Sequence, residues 1–186
     1  MITPKFLREN TVVIGPCRLS YTHVFSKYSP DGKDDGKYMT NVLIPKDEKE
    51  TVKALQKAIE AGKNAAVVSK WGGKLPKKLD LPLRDGDTDK EDDEVYENHY
   101  FVNAKSNTRP QIIDKHKVPI VDEDEIYSGV YAFVSLTFYG YDVNGNRGIA
   151  CGLNNIMKFK DGEHLGGRSS AESDFADIDM EDDEDL

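Results

Sequence analysis

Cysteine is scarce in this 186-residue chain: only Cys17 and Cys151 occur, far apart in sequence. That excludes a disulfide scaffold and leaves two reduced thiols, expected as small core residues. Histidine is equally thin. His23, His99, His116 and His164 fall at no metal-ligand spacing, and neither HExxH nor CxxC occurs, so no metal and no cofactor is expected. There is no GxxxxGK[ST] loop for phosphates and no GxSxG elbow, which removes the commonest ATP-driven and serine-hydrolase chemistries. The run from Asp85 to Asp89 starts like a calcium loop. It then fails, because Lys90 stands where the turn glycine belongs and Tyr96 where the bidentate glutamate belongs. No apolar run approaches the ~18 residues of a membrane span. Met1–Asn10 carries Lys5 and Arg8 but no apolar stretch of the signal-peptide kind. The expectation is a cytoplasmic protein without membrane contact that binds rather than catalyses.

Net charge is −9, yet the acids are sorted along the chain. Ser169–Leu186 holds nine acids and no base, and without them the body carries 25 acids and 25 bases. Two islands hold many of the remaining acids: Arg84–Glu97, with eight against two bases, and Asp122–Glu125, with four. Everything else has 23 bases against 13 acids, so a basic body carries two acidic islands and an anionic tail.

Hydrophobic periodicity points to strands. Over Val130–Tyr141 the even positions Val130, Ala132, Val134, Leu136 and Phe138 are apolar. The odd positions Tyr131, Phe133, Ser135, Thr137, Tyr139 and Tyr141 are amphipathic. A period of two gives one buried face and one face open to solvent or ligand. Asn144-Gly145 supplies the positive-φ pair of a tight hairpin, with Gly148–Lys160 as the returning strand. Cys17–Phe25, Lys37–Ile44, His99–Lys105 and Gln111–Ile113 read as further strands, the first with Cys17, Leu19, Tyr21, His23 and Phe25 on one face. One helix is signalled by Asp47 as cap, Glu50 three residues on, the stripe Val52, Leu55 and Ile59, and Gly62 as terminator. Lys63–Trp71 reads as a second short helix, and Lys74–Glu97 as a long surface excursion. A small all-β barrel is the natural class, with residues 1–168 as the domain and 169–186 as a disordered acidic tail.

Several long blocks then occur in order: RLSYTHVF (Arg18–Phe25), KYMTNVLIPK (Lys37–Lys46), LRDGD (Leu83–Asp87), HYFVNAKS (His99–Ser106), YSGVYA (Tyr127–Ala132), GNRGIACGLNNI (Gly145–Ile156) and DGEHLGGRSSAESDFA (Asp161–Ala176). Together they resemble the single-stranded DNA-binding proteins of tailed bacteriophages. The resemblance covers nearly the whole chain. It implies an OB-fold, a five-stranded Greek-key barrel with one or two helices inserted after the second strand. It also implies sequence-independent binding of single-stranded DNA in phage DNA replication, recombination and repair, in the host bacterial cytoplasm.

The site residues follow from the chemistry of a single strand, which offers phosphates and unpaired bases with open π-faces. A sequence-neutral binder needs a cationic track and aromatic platforms. Tyr131, Tyr139 and Tyr141, opposite the core face, are the first candidates, with Tyr21, Phe25, Tyr28, Tyr100 and Trp71 in second rank. For Phe25, Phe101 and Phe133 packing is the expectation, since phenylalanine has no polar tip to justify exposure. For Trp71 binding and packing are equally open. The cationic track is drawn through Lys70, Lys74, Lys77, Lys78, Lys105, Arg109, Lys115, Lys117, Arg147 and Lys158. Its densest part is KWGGKLPKK (Lys70–Lys78).

In the tail, Asp177, Asp179, Glu181, Asp182, Asp183, Glu184 and Asp185 can fold over the cationic groove as a polyanion mimic. Phe175, Ile178, Met180 and Leu186 would anchor phage or host replication and recombination proteins. Tails of this kind typically carry an aromatic or apolar anchor after the acids; here Leu186 follows them, and the nearest aromatic, Phe175, lies upstream. A homodimer is left open. Two rival readings stand beside this one. A divalent-metal nuclease would draw on Asp114, Asp122–Glu125 or Asp80–Asp93, and an interaction protein would use its acidic tail as a DNA mimic.

Overall fold

The structure is a computed structural model that describes residues 1–32, 36–166 and 171–180. Strands β1 (Lys5–Arg8), β2 (Thr11–Tyr28) and β3 (Lys37–Pro45) lead into helix α1 (Lys49–Ser69). After it come β4 (Arg84–Asp85), the short helix α2 (Gly86–Asp89), β5 (His99–Ser106) and β6 (Gln111–Ile113). The hairpin of β7 (Tyr131–Val143) and β8 (Asn146–Lys160) follows, and then one helical turn, α3 (Ala171–Asp174).

Five strands close on themselves. β2 pairs with β3, β3 with β5, β7 with β8 and β2 with β7, all antiparallel. The seam is the one parallel contact of the five, β5 with β8, at Ala104↔Cys151 and Lys105↔Gly152. Counting these strands one to five, the order is 1-2-3-5-4-1 with a parallel contact between three and five, which is the OB-fold. One long strand serves both neighbours: Thr11–Arg18 of β2 lies along β7, and Arg18–Tyr28 lies along β3.

The alternation expected in β7 is present. Ala132, Val134, Leu136 and Phe138 are buried, while Tyr131, Phe133, Thr137 and Tyr141 are half-buried and Tyr139 is exposed; Ser135, expected on the open face, is buried beside a register irregularity. The hairpin turns on Asn144 (φ 53°) and Gly145 (φ 82°), as the sequence demands. In β2 the alternation breaks. The register slips between Ser20 and His23, Tyr21 takes φ 47° and turns outward, and Val24 is buried in place of His23. Cys17 and Cys151 are both buried in the barrel, and burial pushes both thiols up, that of Cys17 to about 12.

The helix differs from expectation at both ends. Glu48, not Asp47, is the cap and makes no side-chain cap bond. The helix also runs through Gly62 to Ser69 as one element. Gly62 is there for packing, since a Cβ on it would sit 2.6 Å from the Phe138 carbonyl oxygen. Thr51, Ala54, Leu55, Ala58, Ile59, Gly62 and Ala66 form the buried face. Four of these are alanine or glycine at four-residue spacing, which lets the helix lie close on β7.

The excursion over Lys74–Glu97 is not wholly a surface loop, and this too corrects the sequence reading. β4 pairs with β5 at Phe101 and Tyr100. Tyr96 is fully buried against Leu43 and Phe101, and Asn41 Nδ2 donates to its hydroxyl at 2.6 Å. The acidic island is thereby pinned across the outer face of β3 and β5. Lys46 Nζ binds both Asp85 and Asp87 at 2.7 Å, which raises its pKa, and Asn98 N–H donates to Asp87 at 2.9 Å.

Candidate nucleic-acid interface

On the outside of β8, positions 148, 150 and 152 are glycine, alanine and glycine, a strip with almost no side chains. Tyr139 and Tyr141 of β7 lean across it. A Cβ on Gly152 would come 3.3 Å from the Tyr139 ring, and one on Gly148 would come 2.5 Å from the Tyr141 hydroxyl. On the far side of the strip stand Asn103 and Lys105 of β5. The result is an open groove of about 510 Å³ whose lining includes Lys37, Arg84, Asn103, Lys105, Tyr139 and Tyr141.

Tyr139 is 45% exposed, so much of its ring is free. Tyr141 is half-buried, and burial, with the Asp80 carboxylate beside it, raises its pKa. Lys37 and Lys105 are exposed and form no ion pair among the described residues. Arg84 has only a 3.9 Å contact with Asp89. Flat rings over a bare strand, between unpaired cations, suit a ligand with planar apolar faces and regular negative charge.

Of the residues expected from sequence, Tyr139, Tyr141 and Lys105 meet in this groove. Lys70, Lys74, Lys77 and Lys78 are exposed on the loop after α1. That loop continues to Asp80, whose backbone bonds to Arg147 and Ile149 at the groove's edge.

Trp71 is corrected. It is 5% exposed, its ring lies near Gly140, and its indole N–H donates to the Tyr141 carbonyl at 3.1 Å, so it is a packing residue. Lys158 is corrected too, since its ammonium is gripped by Glu125 at 2.6 Å and Asp161 at 2.7 Å. Arg147 is exposed but paired with Asp142 at 3.0 Å across the hairpin.

The others lie elsewhere. Tyr21 is 48% exposed, yet it faces the acidic segment Asp89–Asp93, with Lys90 Nζ 5.1 Å from its ring. Tyr100 is half-buried with Lys46 Nζ 5.1 Å from its ring, in the Asp85–Asp87 network. Tyr131 lies at the opposite end of β7. Eight residues at about 3.3 Å each put it ~26 Å from Tyr139. Arg109, with Phe25 beneath its guanidinium at 5.5 Å, lies just before β6. Lys115 and Lys117 are exposed in the turn after it.

In the tail, Phe175, Ile178 and Met180 are 62%, 60% and 87% exposed, and Asp177 and Asp179 are exposed. One helical turn, α3, forms where the sequence reading expects no order. Glu181, Asp182, Asp183, Glu184, Asp185 and Leu186 lie outside the described residues.

Sequence reasoning missed Lys37, Arg84 and Asn103. Lys37 reads as the first residue of a strand, and Arg84 is counted within an acidic island. The signal that could have found the groove is Gly148-x-Ala150-x-Gly152, small residues at strand period.

Fold and groove together define an OB barrel with an aromatic, cationic outer face. The family described as Enterobacter phage Enc34, ssDNA-binding protein, matches residues 10–186. The chain belongs to this family. A putative protein p50 of Acyrthosiphon pisum secondary endosymbiont phage 1 is 31% identical over 180 residues, covering 91% of this chain and 94% of that protein. Among solved structures, the single-stranded DNA-binding protein of bacteriophage Enc34 in complex with ssDNA matches with a TM-score of 0.74. It is 24% identical, over 88% of this chain and 98% of the other. The single-stranded DNA binding protein gp2.5 encoded by bacteriophage T7 matches with a TM-score of 0.57 and 16% identity, over 92% and 96% of the two chains. These structural likenesses support the OB-fold assignment.

Proposed function

We propose that this chain binds single-stranded DNA without reading its sequence, and coats and protects it during phage DNA replication, recombination and repair in the host cytoplasm. The observation that carries the reading is the pair Tyr139 and Tyr141 over a bare strand, with Lys37 and Lys105, unpaired among the described residues, in the same groove. Bases stack on the rings, each worth about 1–3 kcal/mol, and phosphates meet the lysines and Arg84. Membership of a family described by its ssDNA-binding protein supports the same ligand.

Residues 169–186 act as a regulatory tail on this reading. Its nine acids compete for the cationic groove, and its apolar residues recruit replication and recombination proteins once DNA displaces it.

The test is a titration of the full-length protein with matched single-stranded and duplex oligonucleotides across a salt series. Preference for the single strand is expected, with a log–log salt slope of about −0.7 per phosphate neutralised. Preference for duplex overturns the reading. For the tail, truncation after Arg168 should tighten binding most at low salt; unchanged or weaker affinity removes the masking role.

A further inference from the structure

The outer face of the β7–β8 ribbon does not end at the groove. Past Thr137, which accepts from Asn154 Nδ2 at 2.8 Å, it reaches a second cleft of about 260 Å³. Val13, Ile113, Phe133 and Met157 give this cleft apolar walls, and Gln111 and Asn155 set exposed carboxamides at its rim. Beside it Phe159, 45% exposed, meets Phe133 edge to face with ring centroids 5.7 Å apart. Lys160 Nζ lies 5.0 Å from the Tyr131 ring and 6.0 Å from the Phe159 ring, and the Arg18 guanidinium lies 5.6 Å from Tyr131. Lys160 forms no ion pair among the described residues. Arg109 and Lys115 flank β6, which forms the opposite wall.

We infer that this cleft is a second subsite for unpaired nucleotides, so that one strand runs along the ribbon from Tyr139 to Phe159. The inference rests on the reading of the groove as a single-strand site. A base has two apolar faces and a polar edge, and the cleft offers apolar walls with carboxamides that turn to match either donors or acceptors. The neighbouring phosphates meet Lys160, while Arg18, which donates to the Gly129 and Glu163 carbonyls at 3.3 and 2.8 Å, holds the Tyr131 end of the ribbon in place. An apolar protein segment in the same place would cover the Lys160 ammonium without pairing it, which is costly. That charge, and the continuity of the face with the groove, select nucleic acid as the occupant. Six residue steps along the strand take Phe133 to Tyr139, a span of ~20 Å, within what one oligonucleotide covers on an OB barrel at about 4–16 nucleotides per fold.

The experiment titrates the full-length protein, its Phe159→Ala variant and its Lys160→Gln variant with fluorescein-labelled oligothymidylates of increasing length. Wild type should gain affinity in two stages, the second as the oligonucleotide grows long enough to reach the cleft. Both variants should match wild type on the shortest oligonucleotides and lose about ten-fold on the longest, erasing the second stage. Equal loss at every length, or no loss at any, overturns the subsite. A wild-type protein that binds all lengths with one affinity overturns the subsite while leaving the groove in place. One that binds no length removes the groove reading, and the subsite with it.

Discussion

Replacing Tyr139 with alanine separates the groove from the fold that carries it. The ring is 45% exposed, lies across Gly152, and is held by no hydrogen bond among the described residues. Removing one stacking platform costs about 1–3 kcal/mol of binding, which raises Kd about 5- to 150-fold. The half of the ring that is buried, roughly 100 Å² of an aromatic's 150–250 Å², is worth about 2 kcal/mol of folding stability. A Tyr139→Phe variant keeps the ring and should bind close to wild type. The assay is fluorescence anisotropy with an unstructured labelled oligonucleotide at several salt concentrations, beside a urea unfolding curve for each variant. The salt slope should not change, because no phosphate contact is lost. If Tyr139→Ala binds as tightly as wild type, or weakens only through a shallower salt slope, the stacking argument fails.

Other tests follow from the same structure. Lys105→Gln should reduce the salt slope by about 0.7, the loss of one phosphate contact on a single strand. Lys158→Gln should leave that slope unchanged, since its ammonium is already held by Glu125 and Asp161, and should instead lower the urea midpoint. Trp71→Ala should cost about 3–5 kcal/mol of stability, the price of a buried aromatic, measured by urea unfolding; full stability with lost DNA binding would restore Trp71 to the interface. Acid should weaken the fold through three carboxylates. Lys46 and the Asn98 amide lower the pKa of Asp87, the Val118 and His116 amides that of Asp114, and Lys158 and Tyr127 that of Asp161. Each folded value lies below the unfolded one. Their stabilisation is therefore complete above the ordinary carboxylate pKa of about 4 and is lost as pH falls through the lower folded values. A urea midpoint that stays flat from pH 5 to pH 2 would contradict those pairings.

The parts of the molecule written in local pattern were legible. The period-two face of β7 and the Asn144-Gly145 turn follow from neighbours in sequence, and so do their positions in space. Features set by distant partners were not. Gly62 looks like a helix stop until the Phe138 carbonyl is seen to need its space. Trp71 between lysines is equally open to stacking and packing until the core is seen to take it in. Lys158 and Arg147 count as free charge until their carboxylates arrive from elsewhere in the fold, or across a turn. Tyr21 keeps its place in the sequence alternation, but a bulge in β2 carries it to the acidic side. The groove itself needed three strands brought together, and the clue on its floor was the lack of side chains.

The barrel is sewn shut along β5 and β8 by only two residue pairs, and Lys105, a member of that stitch, also faces the groove. Ala150 of β8 lines it too, so whatever lies in the groove touches both strands of this two-pair seam. An occupant braced on Lys105 of β5 and on Tyr139, whose strand pairs with β8 at Ala150, works as a clasp. Loading would then make the whole barrel harder to open, and any breathing at the joint would loosen the grip at the same moment.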